Sequence, residues 1–272
     1  MNWNAYPAPE LLPPAPPEAL PHQQLPVRET PTLLETVAFF TLAAILLLGI
    51  QGFGAAVVLH WHLFGHIGLR KLVYETRFTI PIMLVSYGAV LLAAATLFRR
   101  VWMRPFLDGI HWNFDQVRQY WPWLLGIGIG LGFGVQLASN FLPVPKELPV
   151  DEFFRTALDA WMVALFGVFV APIAEEIAFR GFLYPSLRRW TGMVIAAILT
   201  SIPFALLHAQ QVAHAWGPLA MVFLVSVILV AVRERTRSVA ASALVHACYN
   251  LSIFIVIFYG SGGFMHLERL KN

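Results

Sequence analysis

Residues 161–190 read WMVALFGVFVAPIAEEIAFRGFLYPSLRRW. The first ten carry no charge, and Glu175, Glu176 and Arg180 then appear among apolar neighbours, ahead of the basic pair Arg188 and Arg189. About 20 apolar residues in a helix cross the ~30 Å hydrocarbon core of a bilayer. The stretch therefore predicts a membrane helix that carries ionisable groups inside it. The whole chain agrees: of 272 residues 58% are hydrophobic and only 12% charged, with mean hydropathy +0.67. Soluble domains are about 25% charged, so this chain cannot cover a water-facing surface, and its exterior must face lipid.

Working outward, comparable apolar runs recur at roughly 33–58, 78–98, 120–142, 160–187, 192–210, 217–232 and 239–260. The fold class predicted is all-α, a polytopic transmembrane bundle of about seven or eight membrane helices. Its parts are a tail over 1–31, N-terminal membrane helices over 32–150, a helical core over 151–262 and a short tail over 263–272. The first tail holds nine prolines, which fix φ and lack an amide donor, so it is expected to be extended and solvated. It has no basic segment followed by an apolar one and does not read as a secretory signal.

Arg99, Arg100, Arg104, Arg118, Arg188, Arg189, Arg233, Arg235 and Arg237 follow alternate runs. They predict a cytoplasmic side, with the N-terminus inside and the C-terminus outside. Arg70, Lys71, Arg77 and Lys146 fall in the opposite loops. With the basic residues at segment ends, the net charge of +3 is topological, and no nucleic-acid partner is expected. The lone Cys248 excludes an intramolecular disulfide. In GIGIGLGFG, residues 126–134, no strand pattern supports a nucleotide-binding loop. Gly126, Gly130 and Gly134 recur every fourth residue and are expected to line a close helix–helix contact.

Ionisable groups at membrane depth cost about 2.5–3.5 kcal/mol each on insertion scales and tend to mark function. Three sets stand out: Glu175, Glu176 and Arg180 in EEIAFR, Phe204 and His208 in FALLH, and His246 and Asn250 in HACYN. Glu176 and Arg180 are four apart with the acid first, the favourable order for a helical ion pair. Glu175 lies about 100° round the helix and is left free. Counted from the arginine-rich face at 1.5 Å per residue, Glu175, His208 and His246 lie at roughly 22, 25 and 16 Å. All three sets can thus meet within the bilayer.

A carboxylate and an imidazole can share and activate a water. A second imidazole and an amide supply donors toward a developing oxyanion. Those parts suit peptide hydrolysis without a covalent intermediate. Glu175, His208 and His246 are also a possible ligand set for a divalent metal such as zinc, and spacing alone does not decide.

The ordered motifs Glu-Glu-x-x-x-Arg, Phe-x-x-x-His and His-x-x-x-Asn, with RGFLYPSLRRW after the arginine, resemble the CPBP (CAAX-processing and bacteriocin-processing, or Abi) family of intramembrane endopeptidases. The resemblance covers about 155–260. It implies that Glu175 with His208 activates a water, that His246 with Asn250 stabilises the oxyanion, and that Glu176, Arg180 and Phe204 hold and orient the site. The family has been described both as metalloproteases and as metal-independent; the absence of a His-Glu-x-x-His helix favours the glutamate-activated water here. The expected substrate is a membrane-anchored, lipid-modified or secreted peptide, and the expected place the plasma (inner) membrane of a prokaryote. The alternative is a transporter or an immunity and interaction protein using the same polar cluster.

Other polar residues read more simply. His60, His62 and His66 in HWHLFGH belong to an interfacial segment beside Trp61, and His214 is expected in a solvated loop. Cys248, two residues from His246, points to another side of its helix and is not read as a nucleophile.

Overall fold

The computed structural model describes residues 31–143, 145 and 148–267; most of the proline-rich tail and the last five residues lie outside them. Among the described residues there is no β-strand ladder, and six helices are long and apolar enough to cross a membrane. We number the passes α1 (Leu33–His60), α2 (Thr76–Trp102), α3 (Phe114–Ser139), α4 (157–191), α5 (193–207), α6 (Trp216–Thr236) and α7 (Val239–Gly260). The protein is an integral membrane helical bundle.

α4 and α5 belong to one helical stretch, Ala157–Leu207, broken where Gly192 takes φ 77° and ψ 177°. A side chain opposes this positive φ, whereas glycine adopts it freely. The break reverses the chain: the rings of Phe179 and Phe204 lie 5.0 Å apart, where a straight helix would separate them by ~37 Å.

Helix starts are fixed by local chemistry. Thr32 and Glu35 form a capping box at α1, and the second Glu35 oxygen accepts from Trp102 Nε1 at 3.1 Å, tying α1 to the end of α2. Ser238 caps α7 and also donates to the Asn113 carbonyl at 2.7 Å. Nearby, Val239 N–H bonds the His111 carbonyl, and Arg188 holds Glu234 at 2.6 Å. The arginine-bearing ends of α2, α4 and α6 therefore gather at one end of the bundle. At the other, Val150 N–H bonds the Gln211 carbonyl and Thr76 Oγ1 donates to the Phe153 carbonyl.

One packed centre joins α1, α2, the connection from α2 to α3, and α4 through Phe39, Phe98, Phe106, Ile110 and Phe182. A second joins α3, α6 and α7 through Leu124, Val225, Leu229 and Val245. Large apolar side chains such as Leu48, Phe53 and Leu92 stay exposed around them, as a lipid-facing surface requires.

The α3 glycines correct the expected packing face. Gly126, Gly130 and Gly134 have nothing near the position of a Cβ and are exposed. The intervening Gly128 and Gly132 are buried against α7: a Cβ at Gly128 would sit 2.5 Å from Cys248 Cβ, and one at Gly132 would overlap the Ser252 hydroxyl. The spacing of four is right and the phase is shifted by two, because glycines at every second position offer two such faces and only the partner helix chooses. Gly132→Leu is expected to cost about 1–3 kcal/mol or more by overpacking, whereas Gly130→Leu is expected to leave thermal unfolding in detergent unchanged. Equal effects would contradict this packing.

Candidate active site

The helix carrying both carboxylates is not uniformly α. It is wound as π-helix over Phe166–Val170 and again over Ile177–Leu183, with the α turn Ala171–Glu176 between. In the first π stretch the Ala171 N–H bonds the Phe166 carbonyl. The Gly167 carbonyl would next take the N–H of residue 172, which is proline and has none. Asn250 Nδ2 on α7 fills this place, donating to Gly167 O at 2.7 Å. A buried carbonyl left without a donor is costly, so this bond pins α7 to α4 beside the site.

Glu176 and Arg180 form the ion pair anticipated from their spacing, with Nη1 to Oε1 at 2.8 Å and both side chains at 0% exposure. Arg180 Nη2 also donates to the Ser226 carbonyl and hydroxyl at 2.9 and 2.8 Å. Its guanidinium lies 4.6 Å over the Phe204 ring, a favourable cation–π arrangement. Arg180 thus joins α4, α5 and α6. Ser226 was missed by the sequence reading, although as the one hydroxyl in LAMVFLVSVILVAV, residues 219–232, it carried a signal.

Glu176 Oε1 also accepts from His246 Nδ1 at 3.1 Å. That bond places the proton on Nδ1 and directs Nε2 away from the ion pair. His246 Nε2 stands 3.9 Å from Glu175 Oε2, a gap that one water can bridge. His208 ends α5, and its Nδ1–H donates to the Phe204 carbonyl at 2.9 Å, satisfying an orphan of its own helix end. Its Nε2 makes no hydrogen bond among the described residues.

Glu175, Phe204, His208, His246 and Asn250 line one cavity of about 320 Å³, which extends to Val150 and Gln211 at the end of the bundle away from the arginines. Tyr87 on α2 and Tyr249 on α7 line it too, and neither was singled out from sequence. Two details differ from the expected division of labour. His246 approaches Glu175 within 4 Å and His208 does not, and the Asn250 amide is already engaged. The rings of His62 and His66 lie 4.1 Å apart, tilted by 47°, just beyond α1, and the exposed His214 lies in the loop after α5. Cys248 faces Gly128 of α3 and does not line the cavity.

The anchored Nδ1 atoms of both imidazoles resemble the outer partners of metal ligands. Yet among the described residues no three His, Cys, Asp or Glu side chains lie close enough to hold one ion. As arranged, Glu175, His208 and His246 do not fit a metal centre.

Comparison with known proteins adds two findings. Residues 157–252 match the family described as type II CAAX prenyl endopeptidase Rce1-like. A relative in Lactococcus lactis subsp. lactis (strain IL1403), UPF0177 protein YbdI, is 32% identical over 141 residues, covering 49% of this chain and 74% of its own. No solved structure matches the chain. The Rce1-like match takes in both π stretches and, of the polar residues described above as lining the cavity, all but Tyr87 of α2.

Proposed function

The chain belongs to the CPBP family of intramembrane endopeptidases, and from that premise we propose that it hydrolyses a peptide bond with a water activated by Glu175. The observation that carries this reading is the juxtaposition, in one cavity, of a carboxylate outside the Arg180 ion pair and two imidazoles whose Nε2 atoms make no hydrogen bond among the described residues. Glu175 takes a proton from the water as its oxygen attacks the carbonyl carbon, and returns it to the leaving amine. The imidazole of His208 orients the water. Doubly protonated, His246 donates from Nε2 to the oxyanion while its Nδ1 stays on Glu176, and the second amide hydrogen of Asn250 faces the same oxygen.

The substrate is a peptide segment of a membrane-anchored, lipid-modified or secreted protein. The reach of the cavity to Val150 and Gln211 supports entry from the arginine-poor end. No step runs through a metal. Residence in the plasma membrane of a prokaryote belongs to the same reading.

Cleavage of a reconstituted membrane proteome, compared between wild-type and His208→Ala protein, tests it. Fragments are expected with wild-type protein, before and after chelation, and at least about a hundredfold fewer with His208→Ala. Equal fragment yields from the two proteins would remove the hydrolytic assignment.

A further inference from the structure

A second concavity, of about 960 Å³, lies at the arginine-bearing end of the bundle along the last turns of α2. Leu92, Ala95 and Phe106 wall it, and Arg99, Arg100 and Arg104 line it. Three other arginines at this end are engaged, Arg188 with Glu234, Arg233 with His111 at 3.0 Å and Arg118 near Asp115; Arg189, Arg235 and Arg237 are exposed and do not line the concavity. Among the described residues, Arg99 and Arg100 are exposed and make no hydrogen bond or ion pair. Arg104 stands 5.9 Å over the Trp102 ring.

The place of this concavity dictates its occupant. Leu92 is 71% exposed on a membrane-spanning helix, so the lower wall faces hydrocarbon while the guanidinia reach headgroup level. Water gains little from apolar walls, and an acyl chain fits them. Guanidinium groups pair with phosphate oxygens in a fixed fork, and arginines near a bilayer surface attract anionic lipid.

We propose that this concavity binds an anionic phospholipid of the surrounding bilayer, its phosphate on Arg99, Arg100 and Arg104 and an acyl chain along Leu92 and Ala95. This site is separate from the Glu175 cavity and does not rest on the reading of it.

Native mass spectrometry of the delipidated full chain, titrated with dioleoylphosphatidylglycerol or dioleoylphosphatidylcholine, tests the proposal. Phosphatidylglycerol is expected to bind at least about tenfold more tightly. Arg99→Gln and Arg100→Gln should each lower that affinity about fivefold, and the triple change with Arg104→Gln roughly a hundredfold, with phosphatidylcholine binding unchanged. Arg189→Gln/Arg235→Gln/Arg237→Gln, altering the same end elsewhere, should keep the preference. Equal affinity for the two lipids overturns the proposal, as does an equal loss in the control variant. Displacement by soluble glycerol phosphate would point to a free phosphate site instead. A large gain in affinity on removing residues 1–30 would make the chain's own tail the occupant.

Discussion

Glu175→Gln is expected to lower peptide cleavage by roughly a thousandfold while the protein unfolds at its normal temperature. Gln keeps the shape and removes the base. The Glu175 side chain is 20% exposed into its cavity and makes no ion pair with Arg180, so no buried charge is left stranded by the change. His246 Nε2 stands 3.9 Å from it. Cleavage in proteoliposomes alongside thermal unfolding in detergent gives both readouts. Wild-type turnover by this variant would show that the carboxylate is not the base.

Arg180→Met is expected to have the opposite profile, a destabilisation of about 3–5 kcal/mol. It strands Glu176 at 0% exposure and removes the donor that Ser226 receives from α4. Glu176→Leu/Arg180→Met together should recover most of the lost stability, because two apolar side chains can replace a buried ion pair. The double variant should nonetheless cleave poorly, since His246 Nδ1 has lost its acceptor. Thermal unfolding across the cycle, with turnover measured on the same samples, checks the pair. Additive losses in the double variant would mean that the two charges are held independently.

Much of this architecture is legible in residue patterns, and the exceptions have common physical grounds. Apolar runs located the passes because hydrocarbon accepts little else, although the fifth run, read from 192, took in Gly192, where the chain breaks. The Glu176–Arg180 pair followed from its spacing of four. The phase of the α3 glycines did not, since it depends on where Cys248 and Ser252 of another helix fall. Nor did the engagement of Asn250, which requires knowing that Pro172 deprives Gly167 of its donor. His246 was placed nearer the arginine face than Glu175 by counting residues along straight helices. The contact of 3.9 Å reflects packing that such counting omits.

The loosened winding on either side of the two carboxylates has a consequence for how the site tolerates change. An i→i+5 turn holds one residue more than the α-helix needs, so losing a single residue between 177 and 179 would leave a regular, fully bonded backbone. It would also swing everything beyond it by about 100°, carrying Arg180 off Glu176 and away from Ser226. The most conservative edit for the main chain is thus among the most disruptive for the charges it displays, and length in this stretch is constrained as tightly as residue identity.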